Sequence, residues 1–268
     1  MSTSGVLGKV IPLDPALTIF VRCTLAGLLL LLYIRWRNQH GIKKQHLLFF
    51  IGSGILLAVH WTTYFQALKL GGVAVGMLSL FTYPVITSLI EPWILKTKHS
   101  WLDIGSSVLI LLGLALIVPE FSLSNQVVQG AMLGVLSAII YSFRNLWNKK
   151  HINTYSGSTI MCYQLLVSAV VLLPAYWTYP WVGVESWWLE MLILVVITTA
   201  VAHTLFVQGL KHFTTSSISI MSSLIPVYGV IWALIFTDES LTTGIIVGGL
   251  LIVATTALQN IQYLKKVI

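Results

Sequence analysis

Nine runs of about 20 apolar residues follow one another with little between them: 15–34, 47–68, 73–95, 101–118, 128–147, 158–177, 187–209, 216–236 and 242–264. That succession constrains the chain more than any motif. A run of this length crosses the ~30 Å hydrocarbon core of a bilayer as a helix, which satisfies its own backbone where no water can. A tenth apolar piece, 1–11, is too short to cross unaided. Aromatic residues crowd the edges, as in 176–181 and at Trp187 and Trp188, as expected at a membrane–water boundary. The expected fold class is an all-α polytopic membrane protein, a ten-helix bundle with a short first helix.

Composition agrees. Only 9% of residues are charged and 57% are apolar, whereas a soluble domain carries about 25% charged residues. The net charge of +7 is scattered over short loops. It forms no basic domain for phosphates, so a lipid bilayer and not nucleic acid is the expected partner. Cys23 and Cys162 fall inside apolar spans without zinc or redox spacing; buried free thiols and no metal or cofactor are expected. Residues 1–11 hold one late charge, Lys9, and no small-residue cleavage site, so no cleavable leader is expected.

Basic residues orient the spans. With 1–11 taken as the end of a first span and the N-terminus in the cytoplasm, the inner loops hold Arg35, Arg37, Lys43, Lys44, Lys96, Lys98, Arg144, Lys149, Lys150, Lys211, Lys265 and Lys266. The outer loops hold only Lys9 and Lys69, with Asp14, Glu120, Glu185, Glu190, Asp238 and Glu239. The chain is thus expected in the inner membrane, multi-pass, with a cytoplasmic C-terminus.

An offset of 142 residues aligns the chain with itself without gaps: Gln66 on Gln208, Lys69 on Lys211, Pro84 on Pro226, Ile104 on Ile246. Two units result, 1–127 and 128–268. Five spans is an odd number, so the second unit is expected to enter from the opposite side, forming an inverted repeat that can rock about a shared centre. The same register puts the counterpart of Val128 about 14 residues before Met1. The first helix therefore reads as missing its N-terminal half, with an upstream start as the favoured explanation.

Ionisable groups inside lipid cost about 2.5–3.5 kcal/mol at mid-span and need a reason. His60 and His203 both lie inside spans, and the register sets His203 one residue from His60's counterpart. They could line opposite halves of one cavity and carry protons, or merely tie helices together. Trp61 and Tyr64 accompany His60 on its helix. Gln66 and Gln208 are a matched pair able to hold a polar solute or to cap helix ends. Pro84 and Pro226 are expected to free backbone carbonyls at mid-helix, beside Ser79 and Tyr83 in one half and Ser222 and Ser223 in the other. Tyr141 and Asn145 share a face with Ser137. Glu91 is the third proton-coupling candidate, able instead to meet Lys96 or Arg144. Arg22 could hold a carboxylate, but the structural reading is preferred: snorkelling outward or pairing with Asp14.

The segment 67–74 followed by Tyr83-Pro84 and Glu91-Pro92, with Gly209-Leu210-Lys211, Pro226, Glu239 and Gly248-Gly249 in the second half, resembles EamA-type proteins of the drug/metabolite transporter superfamily. The resemblance implies ten helices, both termini cytoplasmic, and a central cavity lined mainly by the first, third, fourth and ninth helices plus the sixth and eighth. It also implies export or uptake of amino acids and other small metabolites, often proton-coupled. No HExxH, GxSxG or ATP-binding loop occurs. The expected function is therefore secondary-active efflux of a small-molecule substrate, coupled to a proton or counter-solute. A non-transporting scaffold or sensor, and an intramembrane enzyme, stay open as alternatives.

Overall fold

The computed structural model describes residues 1–39, 41–95, 101–118, 122–212 and 215–267; the side chains of 95, 101–104, 184, 212–221, 223, 259–260 and 262–267 lie outside that description. The elements are α1 (Thr3–Val10), α2 (Pro15–Trp36), a 3-10 turn (Lys44–His46), α3 (Leu47–Leu80), α4 (Tyr83–Leu95), α5 (Trp101–Ile117), α6 (Gln126–His151), α7 (Gly157–Leu172), α8 (Ala175–Thr178), α9 (Val184–Ile193), α10 (Thr204–His212), α11 (Thr215–Phe236) and α12 (Thr243–Val267). A π-helical stretch, Leu194–His203, joins α9 to α10 in one rod.

Helix starts are written locally. Asp14 accepts from Ala16 N at 2.8 Å with Pro15 as the first helical residue of α2; Asn125 caps α6 from Val127 N at 2.8 Å, and Ser156 caps α7 from Thr159 N. Pro15 and Gly157, and likewise Trp101 and Thr243, stand 142 residues apart as helix starts.

The polarity is inside out relative to a soluble protein. Leu25, Leu28, Leu29 and Leu32 of α2 are exposed, while Arg22, Arg144, His60, His203 and Gln164 are buried. Lipid on the outside gives that distribution, because leucine loses nothing there and each polar group must find a partner inside. Among the described residues four helical stretches are long and apolar enough to cross a bilayer: Pro15–Trp36, Lys44–Leu80, Gln126–His151 and Glu185–Lys211; shorter apolar helices accompany them.

Spans 47–68 and 73–95 differ from expectation in where they break. No loop separates them. The chain turns at Gly72 alone (φ 86°, ψ 168°), and Gly76 returns so close that a Cβ on it would lie 3.1 Å from Leu68 N. The second break falls at Phe81 and Thr82, not within a helix at Pro84, which sits in the first turn of α4 where its missing N–H costs nothing. Pro226 does lie inside a helix, α11, as expected. The charge count also needs one correction. Arg144, counted with the inner loops, is 1% exposed within α6, because that helix runs on through the basic residues to His151.

α6 packs antiparallel along α3, Gly130 against Gly71 at one end and His151 stacked on Phe49 at the other. α2 packs on α7, and α5 on α12.

Candidate functional site

Where α2, α3, α6, α11 and the π–α10 rod meet, their polar side chains enclose a small cavity of about 40 Å³, room for about three waters. α3 presents Trp61 and, one turn apart on its other flank, His60 and Tyr64; α6 brings Tyr141, α4 brings Tyr83, and the rod brings His203 and Phe206. Ring contacts knit the wall: His60 stacks on Tyr141 at 4.5 Å, Tyr141 meets Tyr83 edge-on at 4.9 Å, and Trp61 meets His203 at 5.1 Å.

The hydrogen bonds of His60 define its tautomer. Ser137 Oγ donates to His60 O at 2.8 Å, so its proton is spent. His60 Nδ1 lies 2.7 Å from that hydroxyl oxygen and 3.1 Å from Ser137 O. A carbonyl only accepts, so Nδ1 carries the hydrogen, and in the neutral ring Nε2 keeps its lone pair.

Arg22 is the one permanently charged side chain among the cavity's lining residues. Its Nε donates to Thr199 Oγ1 at 2.6 Å and its Nη2 to Thr198 Oγ1 at 3.4 Å. Both threonine hydroxyls give their own protons to Leu194 O at 2.7 Å. The π turn lets adjacent threonines share that carbonyl, leaving two oxygens free to accept from one guanidinium. The guanidinium carbon stands 3.8 Å from the Trp61 ring centroid, a cation–π contact worth about 2 kcal/mol when desolvated. Arg22 thus neither snorkels nor meets Asp14, which caps α2.

Arg144 is also fully buried but lies outside the lining: its Nε and Nη2 donate to Gln164 Oε1, and Nη2 also to Met161 Sδ. Gln164 Nε2 in turn donates to Ser53 Oγ at 2.8 Å and Asn148 Oδ1 at 2.7 Å. Gln164 is Arg22's counterpart in the 142-residue register, a pairing that would have drawn attention to both.

Of the residues singled out from sequence, His60, Trp61, Tyr64, Tyr83, Tyr141, His203 and Ser222 line the cavity. Ser79 and Asn145 are buried nearby but outside the lining, each with an oxygen lacking a partner among the described residues. Pro84, Pro226 and half-buried Gln66 and Glu91 are not lining residues either. Gln208 takes its alternative role: its Oε1 accepts from Gly157 N at 2.6 Å, at the start of α7. The Ser223 side chain and Lys96 lie outside the described residues. Sequence reasoning missed Thr198, Thr199, Phe206 and Gln164, which have no periodic signal of their own.

Two sets of polar ties join the helices away from the cavity lining. At the Gly72 end the Glu239 carboxylate accepts from Val73 N at 2.7 Å and Ala74 N at 3.3 Å, while Lys69 Nζ donates to Lys9 O at 2.9 Å and Lys9 Nζ to Lys69 O at 3.1 Å. A Cβ on Gly72 would lie 2.9 Å from Glu239 Oε1, so glycine is required both for φ and for space. At the opposite end Lys149 Nζ donates to Leu210 O at 2.7 Å, beside the Gln208–Gly157 bond.

The model of the EamA-like transporter family matches residues 1–118 and again 128–261. A Bacillus subtilis (strain 168) protein named "Uncharacterized transporter YxxF" is 25% identical over 226 residues, 82% of this chain and 72% of that protein. The "S-adenosylmethionine uptake transporter" of Rickettsia prowazekii (strain Madrid E) is 23% identical over 188 residues, 70% of this chain and 62% of its own length. A solved structure described as "Crystal structure of protein" superposes with a TM-score of 0.70 over 97% of this chain and 92% of that one at 18% identity, a likeness of fold.

Proposed function

This chain belongs to the EamA-like transporter family and is a multi-pass membrane transporter, not an enzyme; from that premise we propose that it moves small metabolites such as amino acids outward by secondary-active alternating access. The observation that carries this reading is the polar, aromatic cavity between the helices, built from both halves of the chain. A cavity of about 40 Å³ holds no metabolite, so loading requires the helices around it to part.

The packing pattern supports the two five-helix units, 1–127 and 128–268, as inverted copies. Exchange of the units carries α2–α7 and α5–α12 onto themselves, α3–α7 onto the contact of the rod with α2, and α4–α6 onto α11–α1. A two-fold axis in the membrane plane produces that exchange, and it lets one unit's closure be the other's opening. In this arrangement the Gly72 end faces outward, the Leu210 end and the C-terminus face the cytoplasm, and the bilayer is the inner membrane. His60 and His203 are the proton-coupling groups nearest the solute, with Nε2 of His60 the acceptor; a counter-solute could take the proton's place as driver.

Purified protein in vesicles loaded with labelled amino acids tests the reading. Efflux that depends on an imposed proton or solute gradient is expected. Gradient-driven flux only into the vesicles reverses the direction, and no flux of any solute sinks the transport mechanism. Reporter fusions after Leu70 and His212 should fall on opposite sides of the membrane.

A further inference from the structure

Granted that the chain is a transporter, the premise on which this inference rests, the charge of its cavity narrows the solutes it can hold. Arg22 cannot shed its proton under ordinary conditions. Its partners, two threonine hydroxyls and an indole face, are neutral. Its Nη1 group, with two N–H bonds, has no protein partner among the described residues, although the side chain is 1% exposed. None of the other described residues on the wall is a carboxylate; Ser4 of α1 joins the tyrosines, the two histidines and Ser222 there.

Among the described residues no carboxylate pairs with Arg22 or Arg144. Arg144 sets a second guanidinium one helical turn beyond Tyr141 on α6, again with uncharged partners. Asp14 is engaged at the start of α2, and Glu239 at the Gly72 break. Two unneutralised cations in a medium of low dielectric raise the potential of the whole chamber. Such a site attracts an anion and repels a cation, and a guanidinium edge matches the two oxygens of a carboxylate in geometry as well as charge.

We propose that the chamber is an anion site, in which Arg22 takes the carboxylate of the transported solute on its Nη1 edge while the aromatic wall holds the remainder. The Thr198–Thr199 pair on the π turn fixes the guanidinium plane, and Trp61 supports its face. The transporter accordingly requires an acid group and rejects amines that lack one.

Vesicles containing the protein are assayed with alanine, phenylalanine, 3-phenylpropionate, phenethylamine, glycerol and inorganic phosphate as separate labelled probes, with tryptophan fluorescence as the binding readout. Flux and quenching are expected from at least one carboxylate-bearing probe and from neither phenethylamine nor glycerol. Arg22→Gln should lower that flux about 10- to 100-fold while the protein elutes and melts as wild type. Arg22→Lys, which keeps the charge and loses the fork, should raise KM several-fold and retain the saturated rate; it carries the test if Arg22→Gln does not fold. Flux of phenethylamine or glycerol without any carboxylate overturns the anion site and leaves the transport reading standing. Phosphate flux alone overturns the carboxylate assignment, as does equal carboxylate flux in wild type and Arg22→Gln. Flux and binding of none of the probes overturns both readings.

Discussion

Arg22 and Arg144 are equally buried, both without a carboxylate partner among the described residues, and differently placed. Arg144 is held by one amide away from the cavity: Gln164 accepts twice from it and donates twice onward, so the four hydrogen-bonding positions of that amide are filled. Arg22 sits at the wall of a cavity with two of its three nitrogens engaged. The difference teaches that a buried cation can be structural or functional with the same exposure. What distinguishes them is place: the Arg22 guanidinium stands at a cavity wall, and that of Arg144 does not.

The comparison can be broken most directly at Gln164. Gln164→Leu strands the Arg144 guanidinium and should cost about 3–5 kcal/mol, read from thermal or denaturant unfolding in detergent. The pair Gln164→Leu with Arg144→Met should recover at least half of that loss, because no buried charge is left unpaired. A Gln164→Leu protein as stable as wild type would remove the structural role given to Arg144.

Arg22→Met is the sharpening experiment. Stability should stay within about 1 kcal/mol of wild type or rise, since an incompletely paired buried charge is exchanged for an apolar chain of similar length; transport should be lost. Thr199→Val removes the acceptor for Nε and should cost about 1–2 kcal/mol with reduced flux, whereas a change in melting without any change in flux would make the threonine a packing residue only. The smallest effect is expected at the tie beside Gly72. Glu239→Ala removes a carboxylate from two backbone N–H groups, about 1 kcal/mol. It should speed labelling of a cysteine placed at Ser222 by an impermeant thiol reagent from the Gly72 side, in a protein whose Cys23 and Cys162 are alanine. Unchanged labelling would mean the tie does not hold the gate.

Much of this architecture is legible in the chain. Runs of apolar residues mark the helices, Asp14-Pro15 and Ser156 mark where two begin, and the 142-residue register aligns helix starts at Pro15 with Gly157 and Trp101 with Thr243. The stripe His60, Trp61, Tyr64 is visible at helical spacing, and all three residues reach the cavity. Arg144 was not legible, because a cation near the end of an apolar run looks like a loop charge until the helix is seen to continue. Pro84 misled for a related reason: a proline's effect depends on whether the helix has already begun, and Pro84 stands at a start, whereas Pro226 stands inside as expected.

The sequence alone determined that lipid surrounds this chain and that its halves share one plan, since both come from hydropathy and from residues in register. Only the tertiary structure decided which polar groups meet. In a bilayer the lipid face and the packed face of a helix are both apolar, so periodicity carries little information about neighbours. The bond from Arg22 to Thr199, 177 residues away in sequence, is set by how the helices dock and by a π turn that no residue pattern announces.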